Sequence, residues 1–226
     1  ALYREAKEKG YMVTRPRSGK VYLLGTEPGV GYGLLDLTTP AAAAWIEDVI
    51  VDMALNTGAS GWMADFGEYL PFDCALHSGE SPLAVHNRYP EMWAEINQRA
   101  MARAGLFGTD SQRDEDDGET KENDDEREGV FWSRSASAKS PRFSSLFWLG
   151  DQLVSWDAHD GMKSALSGML SGGLSGLAFS HSDIGGYTAT PGNARGVELL
   201  KRWMELSALS DAVFRTHQGN RPFHNA

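Results

Sequence analysis

Residues 61–71 read Gly-Trp-Met-Ala-Asp-Phe-Gly-Glu-Tyr-Leu-Pro. A short apolar run ends there on a carboxyl group, Asp65, with a second acid, Glu68, three residues further on. This is how a buried strand delivers an acidic side chain at its carboxyl end. The pattern recurs downstream. Val130-Phe131-Trp132 runs into Arg134, Leu146-Phe147-Trp148-Leu149 into Asp151, and Leu177-Ala178-Phe179-Ser180 into His181 and Asp183. Earlier in the chain, Val21-Tyr22-Leu23-Leu24 reads as a buried strand leading into a Gly-Pro-rich loop. Helical spacing fills the intervals. Thr39 reads as an N-cap and Pro40 as the first helical residue, with Trp45, Val49 and Met53 following over 41–55. Pro90 opens a second helix through Trp93, Ile96 and Ala100. Two more are expected from His159 to Leu170, weakened by Gly161 and Gly168, and from Ala194 to Ala208.

Strands alternating with helices predict an α/β protein with a parallel sheet and crossover helices. A doubly wound sheet would favour a Gly-rich phosphate loop, but Gly29-Val30-Gly31-Tyr32-Gly33 has neither the dinucleotide nor the P-loop spacing. In a (β/α)8 barrel the carboxyl ends of all strands open on one face, so Asp65, Glu68, Arg134, Asp151, His181 and Asp183 would converge there. The expected fold is therefore a TIM barrel.

The charge is uneven along the chain. The 226 residues carry a formal net charge of −10, but 110–128 alone hold 11 acidic and 3 basic residues, a local charge of −8. The rest, with 20 acidic and 18 basic residues, is nearly neutral at −2. The stretch from Thr109 has no aliphatic or aromatic side chain to offset its ordering entropy, and reads as a solvated, disordered insertion over 109–129. It would separate two barrel segments, 1–108 and 130–226. No run of about 18 apolar residues is present, which argues against a membrane span. The acidic balance argues against nucleic acid, whose phosphates require Lys and Arg. Cys74 is the only cysteine, so neither an intrachain disulfide nor a thiolate zinc site can form. That single cysteine, with no signal-peptide pattern at Ala1, fits a cytoplasmic protein.

Two carboxyls at strand ends on one barrel face suit glycosidic bond cleavage: one attacks or stabilises the anomeric carbon, the other protonates the leaving oxygen. Asp65 and Asp151 are the candidates, and the same side chains could instead cap the loops that follow them. Trp62, Trp132, Trp148, Trp156 and Tyr187 lie near the strand ends, where a sugar ring could stack, though aromatics also fill barrel cores. Arg134 could pair with a carboxylate or bind a hydroxyl. His181, Asp183 and His217 could form a two-histidine, one-carboxylate site, but no metal-specific spacing supports it. There is no Gly-x-Ser-x-Gly elbow for a serine nucleophile. No metal and no cofactor is expected.

The motif at 61–71 resembles glycoside hydrolase family 31, and within it the sulfoquinovosidase branch. Most α-glucosidases and α-xylosidases of the family carry Asp-Met-Asn-Glu where Asp65-Phe66-Gly67-Glu68 stands here. The resemblance runs from about Gly10 to the end, the acidic segment excepted. It implies that Asp65 is the nucleophile and that Asp151, in Trp148-Leu149-Gly150-Asp151-Gln152, is the general acid/base. It further implies that Arg134 and His217 bind the sugar ring, and that Tyr187 helps hold a sulfonate through an ordered water. The family's enzymes combine a full eight-unit barrel with β-domains. The resemblance therefore places this chain in the later part of a barrel, roughly from its third or fourth strand to its eighth. It implies a retaining α-glycosidase acting on small sulfoquinovosides such as α-sulfoquinovosyl glycerides. The alternatives are an α-glucosidase or α-xylosidase of the same family, or a non-catalytic carbohydrate-binding remnant or inactive fragment. The sulfonate-gripping Arg and Trp of the branch come from an earlier barrel loop with no counterpart in these residues.

Overall fold

The computed structural model describes residues 1–25, 31–106, 128–187 and 194–216. The acidic stretch, apart from Glu128 and Gly129, and His217 lie outside the described residues. The chain divides into two units, Ala1–Phe131 with Ser135–Phe143, and Trp132–Arg134 with Ser144–Ala226.

The first unit holds α1 (Leu2–Glu8), β1 (Leu23–Leu24), β2 (Tyr32–Gly33), α2 (Pro40–Thr57), β3 (Gly61–Ala64), α3 (Pro82–His86) and α4 (Tyr89–Arg103). It also takes in the first half of β4 (Val130–Ser133). Pro40 sits in the first turn of α2, where its missing N–H costs nothing, and Gly58 closes the helix in the left-handed region at φ 67°. The Val130 N–H donates to the Ser60 carbonyl (3.1 Å), which sets β4 against the start of β3. A Cβ at Gly61 would come within 2.1 Å of the Val130 carbonyl oxygen, so only glycine permits that approach. Ala54, Ala64, Met101, Ala104, Leu106 and Phe131 form the core under β3. A second cluster around Val13, Leu37, Leu70, Val85 and Ile96 fills the rest of the unit.

The second unit is built on the remainder of β4, β5 (Leu146–Trp148), α5 (Met162–Leu174), β6 (Phe179–His181) and α6 (Val197–Ser210). β4 and β5 pair in parallel (Trp132 with Leu146, Ser133 with Phe147). β5 and β6 do likewise (Leu146 with Phe179, Phe147 with Ser180, Trp148 with His181). Parallel strands linked through helices are the α/β pattern expected of the sequence, and all three strands end on the same side. Val154, Ala165, Ile184, Leu199 and Trp203 make the core, and the Trp203 indole N–H donates to the Ser182 hydroxyl (2.9 Å).

Three local expectations are corrected. Val21–Leu24 is not a buried barrel strand. Leu23 and Leu24 pair antiparallel with Gly33 and Tyr32, and Leu23 is 47% exposed. α5 starts at Met162 rather than His159, because the Asp157 carboxylate accepts the N–H groups of His159 (2.7 Å) and Asp160 (3.1 Å) and closes a turn first. Leu177 is not in β6. Its N–H caps the end of α5 by donating to the Gly172 carbonyl (2.9 Å). Among the described residues, no helix is long and apolar enough to cross a membrane.

Candidate active site

In the first unit the candidate residues lie in the peptide just after β3. Asp65 is half-buried, and its Oδ1 accepts the N–H of the next residue, Phe66 (2.8 Å). Phe66 takes φ 62°, a left-handed conformation that costs a bulky residue about 1–3 kcal/mol, and Gly67 follows at φ 108°. Two donors hold this turn from neighbouring elements. The Trp93 indole N–H on α4 donates to the Asp65 carbonyl (3.0 Å), and the Ser135 hydroxyl donates to the Phe66 carbonyl (2.7 Å). The rings of Tyr32, Phe66 and Tyr69 touch one another with centroids 5.9–6.5 Å apart. An apolar cavity of about 300 Å³, lined among others by Leu34, Tyr89 and Trp93, opens beside Asp65. Glu68 is half-buried in the same loop.

Trp62 lies elsewhere. Its ring stacks on Phe131 (centroids 6.4 Å apart, planes 16° apart), and its N–H donates to the Asn97 side chain on α4 (2.8 Å). Strand alternation directs this residue to the helix layer, so the structure does not bring it beside the Asp65 carboxyl.

In the second unit the ends of β4, β5 and β6 carry a continuous polar and aromatic network. Arg134, only 12% exposed, reaches Asp151 (Nη1 to Oδ2 3.8 Å), and its guanidinium lies 5.8 Å from the centre of the Trp148 ring. Trp148 is buried and donates its indole N–H to Oδ2 of Asp183 (3.1 Å). Asp183, fully buried, also faces Arg215 (Nη1 to Oδ1 3.5 Å). The Arg215 guanidinium is 5.9 Å from the centre of the Trp132 ring, which meets His181 edge-on (5.9 Å). Tyr187 packs against Trp148 (6.3 Å), and its N–H donates to the Gln152 carbonyl (2.8 Å), tying its loop to the one that bears Asp151. Asp151 itself is exposed, at 45% of its side chain.

Burial pushes the His181 imidazole below its ordinary range, and the Arg215 charge acts in the same direction. The neutral imidazole is therefore the favoured form. No group of three or more His, Cys, Asp or Glu side chains with metal-binding geometry occurs among the described residues.

The structure thus draws Arg134, Asp151, Trp148, Asp183, His181 and Tyr187 together, and sets Asp65 and Glu68 in one loop of the other unit. Three contributors went unnoticed in the sequence. Arg215 stands two places before His217, in Phe214-Arg215-Thr216-His217, and could have been found there. Ser135 follows Arg134 directly, and only its contact with the Phe66 carbonyl marks it. Trp93 reads locally as a helix core residue.

Comparison with known proteins adds the following. The family model for the TIM-barrel domain of glycosyl hydrolases family 31 matches residues 1–225. Sulfoquinovosidases of Escherichia coli strain K12 and of Agrobacterium fabrum are each 40% identical over 225 residues, which is 99% of this chain. The chain spans only about 30% of the length of these curated relatives. Among solved structures, a family 31 sulfoquinovosidase from E. rectale, in complex with an aza-sugar inhibitor, aligns with a TM-score of 0.82 at 40% identity. That alignment covers all of this chain and 31% of the other. With a parallel α/β architecture, polar groups at the strand ends and a family match along its length, the chain belongs to glycoside hydrolase family 31, as part of its TIM-barrel domain.

Proposed function

We propose that the full-length protein is a retaining α-glycosidase and that its preferred substrates are α-sulfoquinovosides. The observation that carries this reading is the arrangement at the ends of β4, β5 and β6. There Arg134 lies against both Asp151 and Trp148, and Trp148 in turn holds the buried Asp183. A carboxyl group that is solvent-accessible, next to a guanidinium and an aromatic surface, suits a proton donor working on a bound sugar.

In the proposed reaction the Asp65 carboxylate attacks the anomeric carbon. The glycosidic C–O bond breaks as protonated Asp151 transfers its proton to the departing oxygen. Asp151, now a carboxylate, takes a proton from water, and the resulting hydroxide attacks the same carbon and expels Asp65. Two inversions return the original anomeric configuration. Arg134 and His217 contact ring hydroxyls, and Tyr187 helps to hold the sulfonate. Identity of 40% to two sulfoquinovosidases supports the sulfonated substrate.

The test is hydrolysis by the full-length protein of a chromogenic α-sulfoquinovoside against the matching α-glucoside. The expected outcome is preference for the sulfonated substrate, with the α-anomer of the free sugar appearing first by NMR. Asp65→Ala and Asp151→Asn should each lower kcat on the order of 10³-fold or more while leaving the folded state intact. Preference for the glucoside would assign the protein to another branch of the family. Sugar binding without turnover would replace the enzyme reading with a carbohydrate-binding one.

A further inference from the structure

The backbone of the proposed nucleophile loop is held in an unfavourable shape. Phe66 is not glycine, yet it sits at φ 62°, and Gly67 at φ 108° continues the left-handed path. Such a turn persists only where its surroundings over-determine it, and strained peptides of this kind cluster at reacting groups. The surroundings here can be named. Ser135, buried just beyond the end of β4, donates its hydroxyl to the Phe66 carbonyl (2.7 Å). Trp93 donates its indole N–H to the Asp65 carbonyl (3.0 Å). A Cβ on Gly67 would lie 2.3 Å from the Ser135 hydroxyl oxygen and 3.4 Å from the Trp93 ring, so both side chains press against the same peptide. Asp65 then closes the turn from inside by accepting the Phe66 N–H on Oδ1 (2.8 Å).

We infer that Ser135 is a positioning residue for the nucleophile: its hydrogen bond to the Phe66 carbonyl, working with Trp93, fixes the left-handed turn that aims the Asp65 carboxylate. This rests on the proposed role of Asp65. The Ser135 hydroxyl touches no reacting atom. It anchors the carbonyl of the Phe66–Gly67 peptide while Trp93 anchors the carbonyl of the Asp65–Phe66 peptide, and the two bonds together fix the Phe66 φ and ψ that set the N–H orienting Oδ1. A displacement of about 1 Å at a reacting group is enough to cost on the order of 10²-fold in rate.

The experiment uses the full-length protein with Ser135→Ala, Ser135→Cys and Asp65→Ala. Cysteine nearly preserves the volume of serine but is a poor donor, so it separates the hydrogen bond from packing. For both Ser135 variants the expected result is a fall in kcat of about tenfold or more with KM within about twofold and Tm close to that of the parent. The rate at which an activated fluoro-glycoside labels Asp65, followed by intact mass, should fall in the same proportion. Parental kcat in both variants would overturn the inference. So would parental behaviour of Ser135→Cys alone, which would leave only packing. Loss of folded protein, or a rise in KM matched by a drop in Tm, would mark Ser135 as merely structural and overturn it as well. Asp65→Ala keeps the two readings apart. If that variant retains activity, the nucleophile assignment fails; if it is inactive while the Ser135 variants run at full rate, only the positioning role fails.

Discussion

Asp183 shows how much a single side chain depends on its partners. A fully buried carboxylate is tolerable only when charge and hydrogen bonds compensate its lost hydration, and here Trp148 and Arg215 do so. Trp148→Phe keeps the apolar surface but removes one donor, so it should destabilise the protein by about 1–3 kcal/mol, read as a lower urea midpoint. It should also slow hydrolysis by loosening the ring on which Arg134 lies. His181 makes a prediction about pH. Its folded-state pKa lies below the ordinary 6.5, because burial penalises the imidazolium. Above pH 6.5 neither state is charged, and the stability is complete. As pH falls below 6.5 the unfolded chain binds a proton that the folded one refuses, and stability declines until the folded pKa is reached. Tm should therefore drop as pH falls below 6.5, and His181→Gln should flatten that slope relative to the parent.

At the scale of elements, α2 and α4 are joined by charge as well as by packing. Glu47 on α2 is 8% exposed and accepts hydrogen bonds from Arg99 (2.8 Å) and Arg103 (2.8 Å) on α4. Burial alone would raise its pKa, but the bonds from Arg103 and Arg99 outweigh it and hold the carboxyl below its usual 4.5. Glu47→Gln should destabilise the protein by about 1–2 kcal/mol at pH 7, a modest figure because both arginines are half-exposed. The loss should shrink as pH falls below 4.5, where the unfolded carboxyl takes up a proton before the folded one, and should vanish only once the pH is below the depressed folded pKa. Urea midpoints of the two proteins compared at pH 7 and at successively lower pH would show this. Helices were the most legible elements in the sequence, since Pro40 and Pro90 mark first turns and apolar spacing carries each body. Strands were legible where apolar runs ended on polar groups. Where a run could pair with its own continuation, as Leu23-Leu24 does with Tyr32-Gly33, composition could not tell a barrel strand from a surface pair.

For the molecule as a whole, the net charge of −10 divides into an acidic segment and a nearly neutral remainder. The described flanks of that segment are close together, since a Cβ on Gly129 would lie 2.7 Å from the Leu106 Cβ and its carbonyl oxygen. With those flanks adjacent, the length of chain joining them should be nearly free to change. Replacing 110–128 with a short Gly-Ser linker in the full-length protein should keep kcat within about twofold and Tm within a few degrees. Periodicity, the positions of proline and the residues closing each apolar run determined that the chain is α/β, with polar side chains gathered at strand ends, because these are local properties of a polymer with fixed repeat lengths. The resemblance carried by Asp65-Phe66-Gly67-Glu68 and Trp148-Leu149-Gly150-Asp151 pointed to the family. Only the tertiary structure decided that Trp62 faces α4, that Arg215 and Trp148 converge on Asp183, and that Ser135 holds a peptide 69 residues away in the chain. Those contacts depend on which strands pair, and in what register, and no local pattern encodes that.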